Sequence, residues 1–227
     1  DTAGNMAISA PVRIRIANRR VADYRFNGAS GRDIVDASGL GNHGMMTTAG
    51  VVRDIDAQRG NVLQFSGSGG MVSVPDNDSL DLQTNMTFQA WVKPWSLFGW
   101  RTVMLKEGGN TAAFALYAND LGPWPAGYLN IDSDERAVRW LRLMPLGEWT
   151  HLAMTYDGAT MRLFINGEEN ESRPQTGAVM VTSVQLSIGG NTMWGQWFRG
   201  QMDDVRIYDA AVGEAQIKAD MAGVEPE

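Results

Sequence analysis

No cysteine occurs anywhere in the chain, so disulfide bridges, thiolate metal centres and a cysteine nucleophile are excluded, although the compartment is not fixed by that absence. Histidine is almost as scarce. The two present, His43 in GNHG and His151 in EWTHLAMTY, lie far apart in sequence, and no HExxH pattern supports a zinc site. No uninterrupted apolar run approaches the length of a membrane span, which argues against membrane insertion. No signal-peptide pattern opens the chain, which begins at Asp1 and therefore reads as a piece excised from something longer. Positive charge is also short. Lys and Arg number 19 against 26 Asp and Glu, a net charge of −7, which argues against a nucleic-acid partner but leaves room for a local basic groove. Phosphate-loop and dinucleotide fingerprints are missing. The glycine-rich SGSGG joins two strand-like runs with no helix behind it and reads as a hairpin loop.

What is present is a long series of short strands. Hydrophobic residues make up 44% of the 227, an ordinary globular share, and the length suits one large all-β domain or two small ones. Strand-like runs include VADYRF, NVLQF, MVSV, MTFQAWVKP, RTVMLK, AAFALYA, GYLNI, AVRWLRL, EWTHLAMTY, MRLFI, SVQLSI and MDDVRIY. The separators between them are rich in Gly, Asn, Asp, Ser and Pro, a pattern of sandwiches and barrels rather than of βαβ units. INGEE after MRLFI is a hairpin signal, since Asn-Gly readily takes positive φ at both central turn positions. Only VGEAQIKADM has helical spacing, through Val212, Ala215, Ile217 and Met221, and one such helix can cover a sheet edge or one end of a sandwich. Residues 1–18 stand apart. Val12, Ile14 and Ile16 alternate with polar or small residues as in a half-buried strand, which belongs either to the main sheet or to the end of a preceding module.

Six segments carry a family resemblance: YRFNGASGRDIVDASGLGNHG, LQFSGSGGMVSVPDNDSLDL, MTFQAWVKP, GEWTHLAMTYDGATMRLFINGEE, LSIGG and GQMDDVRIYDAAVGEAQI. In this order, over most of residues 22–218, they resemble the laminin-G-like, concanavalin A-like (pentraxin-type) jelly roll of secreted bacterial multidomain proteins. The opening strand likewise resembles the end of an immunoglobulin-like domain. The implied organisation is a tail strand or linker at 1–18, an all-β antiparallel sandwich at 19–222 with a short C-terminal helix, and a tail at 223–227. The implied fold has one concave and one convex sheet, and relatives frequently hold a structural calcium ion on the convex side. The matching ligand positions here are the Asp203 carboxylate and the carbonyls of Arg25 and Gly60, with Asn27 and Asp23 nearby. Strict alternation would put Asp203 on the same face as Val205 and Ile207, with Asp204 opposite and available to an arginine. A buried carboxylate needs a partner. For Asp203 that partner is calcium, a set of backbone N–H groups, or an arginine.

Catalytic readings find little support. The E-x-D-x-x-E strand of hydrolases with this fold is absent, and Glu107, Glu135, Glu148 and Glu168–Glu169 fall in or beside turn-like segments. Lyase motifs of related jelly rolls are absent too, leaving only an unfamiliar constellation of Tyr117, Tyr128 or Tyr156 with Arg139. His151 alternates with Leu152, Met154 and Tyr156, which suggests a hydrogen-bonded structural role.

Aromatics point to binding instead. Of the 8 tryptophans, Trp91 and Trp149 match buried positions of the family. Trp95, Trp100, Trp124, Trp194 and Trp197 fall in loop-like segments, and Trp140 is flanked by Arg139 and Arg142. Tryptophan suits the apolar C–H faces of sugars, and the alternative is packing beneath loops. Arg139 or Arg142 facing a groove would make an acidic glycan plausible, because Arg pairs bidentately with carboxylate or sulfate. The expectation is a non-catalytic, lectin-like module of a secreted or cell-surface protein that binds polysaccharide beside neighbouring domains of the same chain. The alternatives are a protein-binding adhesion module and an enzyme with an unrecognised site.

Overall fold

The structure is a computed structural model that describes residues 19–28 and 31–223. The proposed remnant over residues 1–18 and the end of the 223–227 tail lie outside the described residues. In chain order the strands are β1 (Arg20–Tyr24), β2 (Asp33–Ile34), β3 (Gly44–Met46), β4 (Val51–Asp56), β5 (Gly60–Ser66), β6 (Val72–Val74), β7 (Met86–Pro94), β8 (Arg101–Glu107) and β9 (Ala112–Asn119). They continue as β10 (Ala126–Ile131), β11 (Asp134–Arg139), β12 (Thr150–Tyr156), β13 (Thr160–Ile165), β14 (Glu168–Pro174), β15 (Leu186–Ile188), β16 (Gly190–Asn191), β17 (Gln196–Trp197) and β18 (Arg199–Tyr208), followed by helix α1 (Glu214–Met221).

Sixteen of these strands form two antiparallel sheets, and β16 and β17 pair with each other as a separate hairpin. The first runs β14-β13-β12-β7-β18-β5-β4, with β1 also paired to β18; the second runs β11-β10-β9-β8-β15-β6-β3-β2. Apolar residues at alternate positions fill the space between them. Phe88 of β7 stacks on Phe114 of β9 with ring centroids 4.3 Å apart, joining the sheets across the core. Burying each such ring stabilises the sandwich by about 1.5–3 kcal/mol. The β13–β14 hairpin turns at Asn166 (φ 52°) and Gly167 (φ 80°), the left-handed pair that Asn-Gly favours. Helix α1 lies on the outer face of the first sheet, where Ile217 packs with Ala153, Phe164 and Tyr208.

Two strand assignments shift. AVRWLRL does not stay extended. The β10–β11 ladder closes at the Ala126–Arg139 pair, and beyond it Pro125 has no N–H to donate, so the chain leaves the sheet at Trp140. Conversely, EENESRP forms β14, an edge strand open to solvent on both faces and so without apolar alternation.

The central strand β18 carries the larger correction. Asp203 pairs with Trp91 and Arg206 with Gln89, so three residue steps on β18 match two on β7. The extra residue is a bulge with Asp204 at φ 50°. Directly paired residues share a face, so Asp203 lies with Trp91, Gln89 and Arg206 on the outer face of the first sheet. It does not share the inward face of Val205 and Ile207.

Candidate functional site

On the second sheet, Phe114, Leu116 and Leu129 point into the sandwich, while Tyr117, Tyr128, Ala115, Ala126 and Leu105 form a separate cluster on the outer face. Cross-strand pairing alternates large and small residues there. Tyr117 stands opposite Ala126, and Tyr128 opposite Ala115 on one side and Ala137 on the other. The alanines leave a hollow of about 270 Å³, lined by Trp100, Tyr117, Tyr128, Glu135, Trp194 and Gln196 over Ala112, Ala115 and Leu129.

The rings are held by one another and by loops. Trp100 meets Tyr117 edge-on at 4.8 Å between centroids, and Tyr117 meets Tyr128 at 5.5 Å. Offset and edge-on pairs of this kind add about 0.5–1.5 kcal/mol each. Asn119 fixes the loop before Trp100 by donating its amide N–H to the Gly99 carbonyl at 2.7 Å. Trp194 caps the hollow from the short β16–β17 hairpin and keeps 43% of its surface exposed. Asn191, fully buried, anchors that hairpin. Its side-chain oxygen accepts the Trp194 N–H at 2.9 Å, and its amide donates to Thr102 Oγ1 and Gln196 Oε1, both at 3.0 Å. Tyr117 donates its hydroxyl to the same Gln196 Oε1, which leaves the Gln196 Nε2 group without a protein partner among the described residues.

Arg139 does not reach into the hollow as a free cation. Buried Asp120 accepts from Arg139 Nε and from the Tyr128 hydroxyl (2.6 Å), and Arg139 also donates to the Tyr128 oxygen at 2.6 Å. Burial opposes the Arg139 charge, but Asp120 and Tyr128 outweigh it and hold its pKa above the ordinary value. Burial pushes both phenols up as well, reinforced at Tyr117 by the charge of Glu135 and at Tyr128 by Asp120. Both therefore stay protonated, the opposite of what a tyrosine base requires.

The other tryptophans lie elsewhere. Trp124 folds back over Gly122, Trp197 covers Gly190 beside β17, and Trp140 packs against the main core. Trp95 and Arg142 are exposed in the loops after β7 and β11. Trp91 and Trp149 are half-buried on the outer face of the first sheet rather than in the core, and the Arg59 guanidinium lies over both rings, 4.5 Å and 5.5 Å from their centroids. A larger hollow of about 680 Å³ at the β2–β3 edge, lined by Arg32, Val35, His43, Met45 and Ser73, has no Trp, Tyr or Phe in its lining. Sequence reasoning named Tyr117 and Tyr128 only as catalytic options, and it missed Gln196, Asn191 and Asp120.

At the β18 bulge, the residues expected to hold calcium with Asp203 lie on or next to strands paired with β18. β5 pairs with β18 up to Met202, and β1 pairs from Val205 onward, so Gly60 and Arg25 approach the bulge from opposite ends. The oxygens there are the type calcium takes. However, Arg59 donates to Asp203 Oδ2 at 2.8 Å and to Asp204 Oδ2 at 2.6 Å, and the Asp204 N–H donates to Asp203 Oδ1 at 2.9 Å. A metal ion would enter by displacing Arg59. Asn27 is exposed and lines a separate small hollow with Ile34 and Arg53. Among the described residues, no group of three or more His, Asp or Glu is placed to hold a metal.

Residues 66–218 match the laminin G family model described as "Concanavalin A-like lectin/glucanases superfamily". Over 80 residues the chain is 34% identical to mouse pappalysin-1 and 31% identical to human pappalysin-1; the match covers 33% of this chain and 5% of those proteins. Among solved structures, domain 4 of an extracellular arabinanase from Geobacillus stearothermophilus, in complex with arabinotriose, superposes with a TM-score of 0.73 at 22% identity, covering 89% of this chain and 98% of that one. The ligand-binding domain of botulinum neurotoxin serotype D, in complex with N-acetylneuraminic acid, gives 0.68 at 16% identity, covering 90% and 51%.

Proposed function

The chain belongs to the concanavalin A-like lectin/glucanases superfamily, and from that premise we propose that it is a non-catalytic carbohydrate-binding module of a larger extracellular protein. The observation that carries the proposal is the hollow framed by Trp100, Tyr117, Tyr128 and Trp194. A sugar ring lies with its C–H face on Trp194 and Trp100, and the free Gln196 Nε2 donates to its hydroxyls. The likeness in fold to an arabinanase domain solved with arabinotriose is consistent with a saccharide ligand. The hollow is lined by one carboxylate where glycoside hydrolysis needs two flanking the bond, and its phenols are held protonated. The test is oligosaccharide binding on a glycan array. Binding that disappears in Trp194→Ala supports the reading; no binding to any glycan sinks it.

Calcium at the β18 bulge belongs to the same proposal. It would be held by Asp203 with the carbonyls of Arg25 and Gly60, would have to displace Arg59, and would stabilise the fold rather than touch the sugar. A second reading, as a protein-binding adhesion module, rests on the exposed apolar loop tips. Phe98 is 87% and Leu121 85% exposed, with Leu141, Leu143 and Leu146 on the loop after β11. Soluble oligosaccharide displaces the natural partner if the hollow is the site, and leaves it bound if these tips are.

A further inference from the structure

The charge around the hollow decides which sugars it holds. Glu135 is the one charged group among its nine lining residues. It is exposed, and among the described residues it has no hydrogen bond or ion pair, whereas the neighbouring arginines are engaged: Arg136 with Asp134 at 2.8 Å, and Arg139 with Asp120 and Tyr128. Asp120 is equally occupied, accepting from Tyr128, Arg139 and the Gly122 N–H. Arg173 reaches β11 from β14 but donates to the Ala137 carbonyl at 3.0 Å and does not line the hollow, so an incoming carboxylate or sulfate meets an unpaired carboxylate and no cation in the lining. An incoming ammonium meets that carboxylate in a hollow also lined by Trp100 and Trp194, and indole faces attract cations through their quadrupoles.

We infer that the hollow selects a sugar unit bearing a free ammonium, a deacetylated hexosamine, and that Glu135 is the residue that confers this selectivity. The inference rests on the reading that the hollow binds saccharide, and it runs against an acidic glycan. The selectivity is electrostatic, so it weakens as salt screens the exposed Glu135 charge.

The experiment is isothermal titration of the full chain with three sets of oligomers of matched length: glucosamine oligomers, their N-acetylated counterparts and oligogalacturonates, each at low and at high salt. Glucosamine oligomers are expected to bind about fivefold or more tighter than either of the others at low salt, the scale of one ion pair near a protein surface. The gap narrows at high salt and closes in Glu135→Gln. Glu135 is exposed and unpartnered, so this variant keeps the melting temperature of the parent. Oligogalacturonate binding as tightly as glucosamine oligomers, or a gap that survives Glu135→Gln, overturns the inference while saccharide binding stands. N-acetylated oligomers binding without any glucosamine preference do the same. If no oligosaccharide binds, the carbohydrate reading fails and takes the inference with it.

Discussion

Arg59 Nε donates to Asp203 Oδ2 at 2.8 Å, so the buried carboxylate of the last strand already faces a cation supplied by the chain itself. The guanidinium is wedged against Trp91 and Trp149 and also holds Asp204. Removing it leaves Asp203 without its cation and largely out of water, beside an Asp204 that keeps only Arg206 at 3.1 Å. Arg59→Met, measured by denaturant unfolding in chelator, is expected to cost about 3 kcal/mol, the scale of breaking a buried pair from one side.

Calcium at the same bulge predicts a second outcome. An ion that binds only the folded state adds about 2.7 kcal/mol at 100 times its dissociation constant. Millimolar calcium should therefore raise the melting temperature of the parent, and raise that of Arg59→Met further, because the competing guanidinium is gone. Melting curves of both proteins that ignore calcium and chelator alike would leave the bulge to its own arginines, Arg59 and Arg206.

That bulge also shows where the sequence stops being legible. Turn chemistry and period-2 alternation locate most strands, the Asn166–Gly167 hairpin and the terminal helix. They cannot show the extra residue at Asp204, because DDVRIY reads as unbroken alternation until the partner strand is known. One slipped position moved Asp203 to the opposite face. β14 is signalled only by the Asn-Gly turn before it, because an edge strand that buries nothing carries no alternation of its own.

Trp194→Ala is expected to weaken saccharide binding about tenfold or more while lowering the melting temperature by only a few degrees, since the residue is exposed over 43% of its surface in the free protein. Trp95→Ala, an exposed tryptophan outside the hollow, should change binding by less than about twofold. Equal losses in both variants would move the site to the loop tips.

Trp100 and Trp194 were readable as loop tryptophans, but their partners were not. Tyr117 and Tyr128 sit in AAFALYA and GYLNI, where both strand faces are apolar, and the sequence offers them only as catalytic options. The usable signal was that lack of alternation. A strand apolar on both faces buries something on each, and on β9 and β10 the second surface is the aromatic floor.

Asp120 holds that floor. Asp120→Ala strips the acceptor from the Tyr128 hydroxyl and from Arg139, which then turns to solvent because it is already partly exposed. The expected loss is about 2 kcal/mol of stability, chiefly from the orphaned phenol. Saccharide affinity should fall as well, although Asp120 itself does not line the hollow. Unchanged affinity together with lowered stability would separate the floor from recognition.

His151 sets a pH dependence of stability. The ring is fully buried against Trp91, and neither nitrogen has a protein partner among the described residues, so it is not the hydrogen-bonded residue its strand suggested. Burial, with Arg206 and Arg59 nearby, lowers its pKa from 6.5 to about 3. The unfolded chain therefore binds a proton below pH 6.5 that the folded chain refuses, and the stability that neutral His151 permits at pH 7.5 is lost progressively as pH falls from 6.5 toward 3. At about 1.4 kcal/mol per unit, the loss reaches about 2 kcal/mol by pH 5. Asp203, pushed up to about 7 by burial and by Asp204, acts in the opposite sense, because its folded form takes up a proton first. Wild type alone would mix the two, but in a comparison with His151→Phe the Asp203 contribution cancels. The stability of His151→Phe relative to wild type should rise by about 2 kcal/mol between pH 7.5 and pH 5, followed by urea unfolding at each pH. A difference that stays flat across that window would mean the ring is reached by water and titrates near its ordinary value.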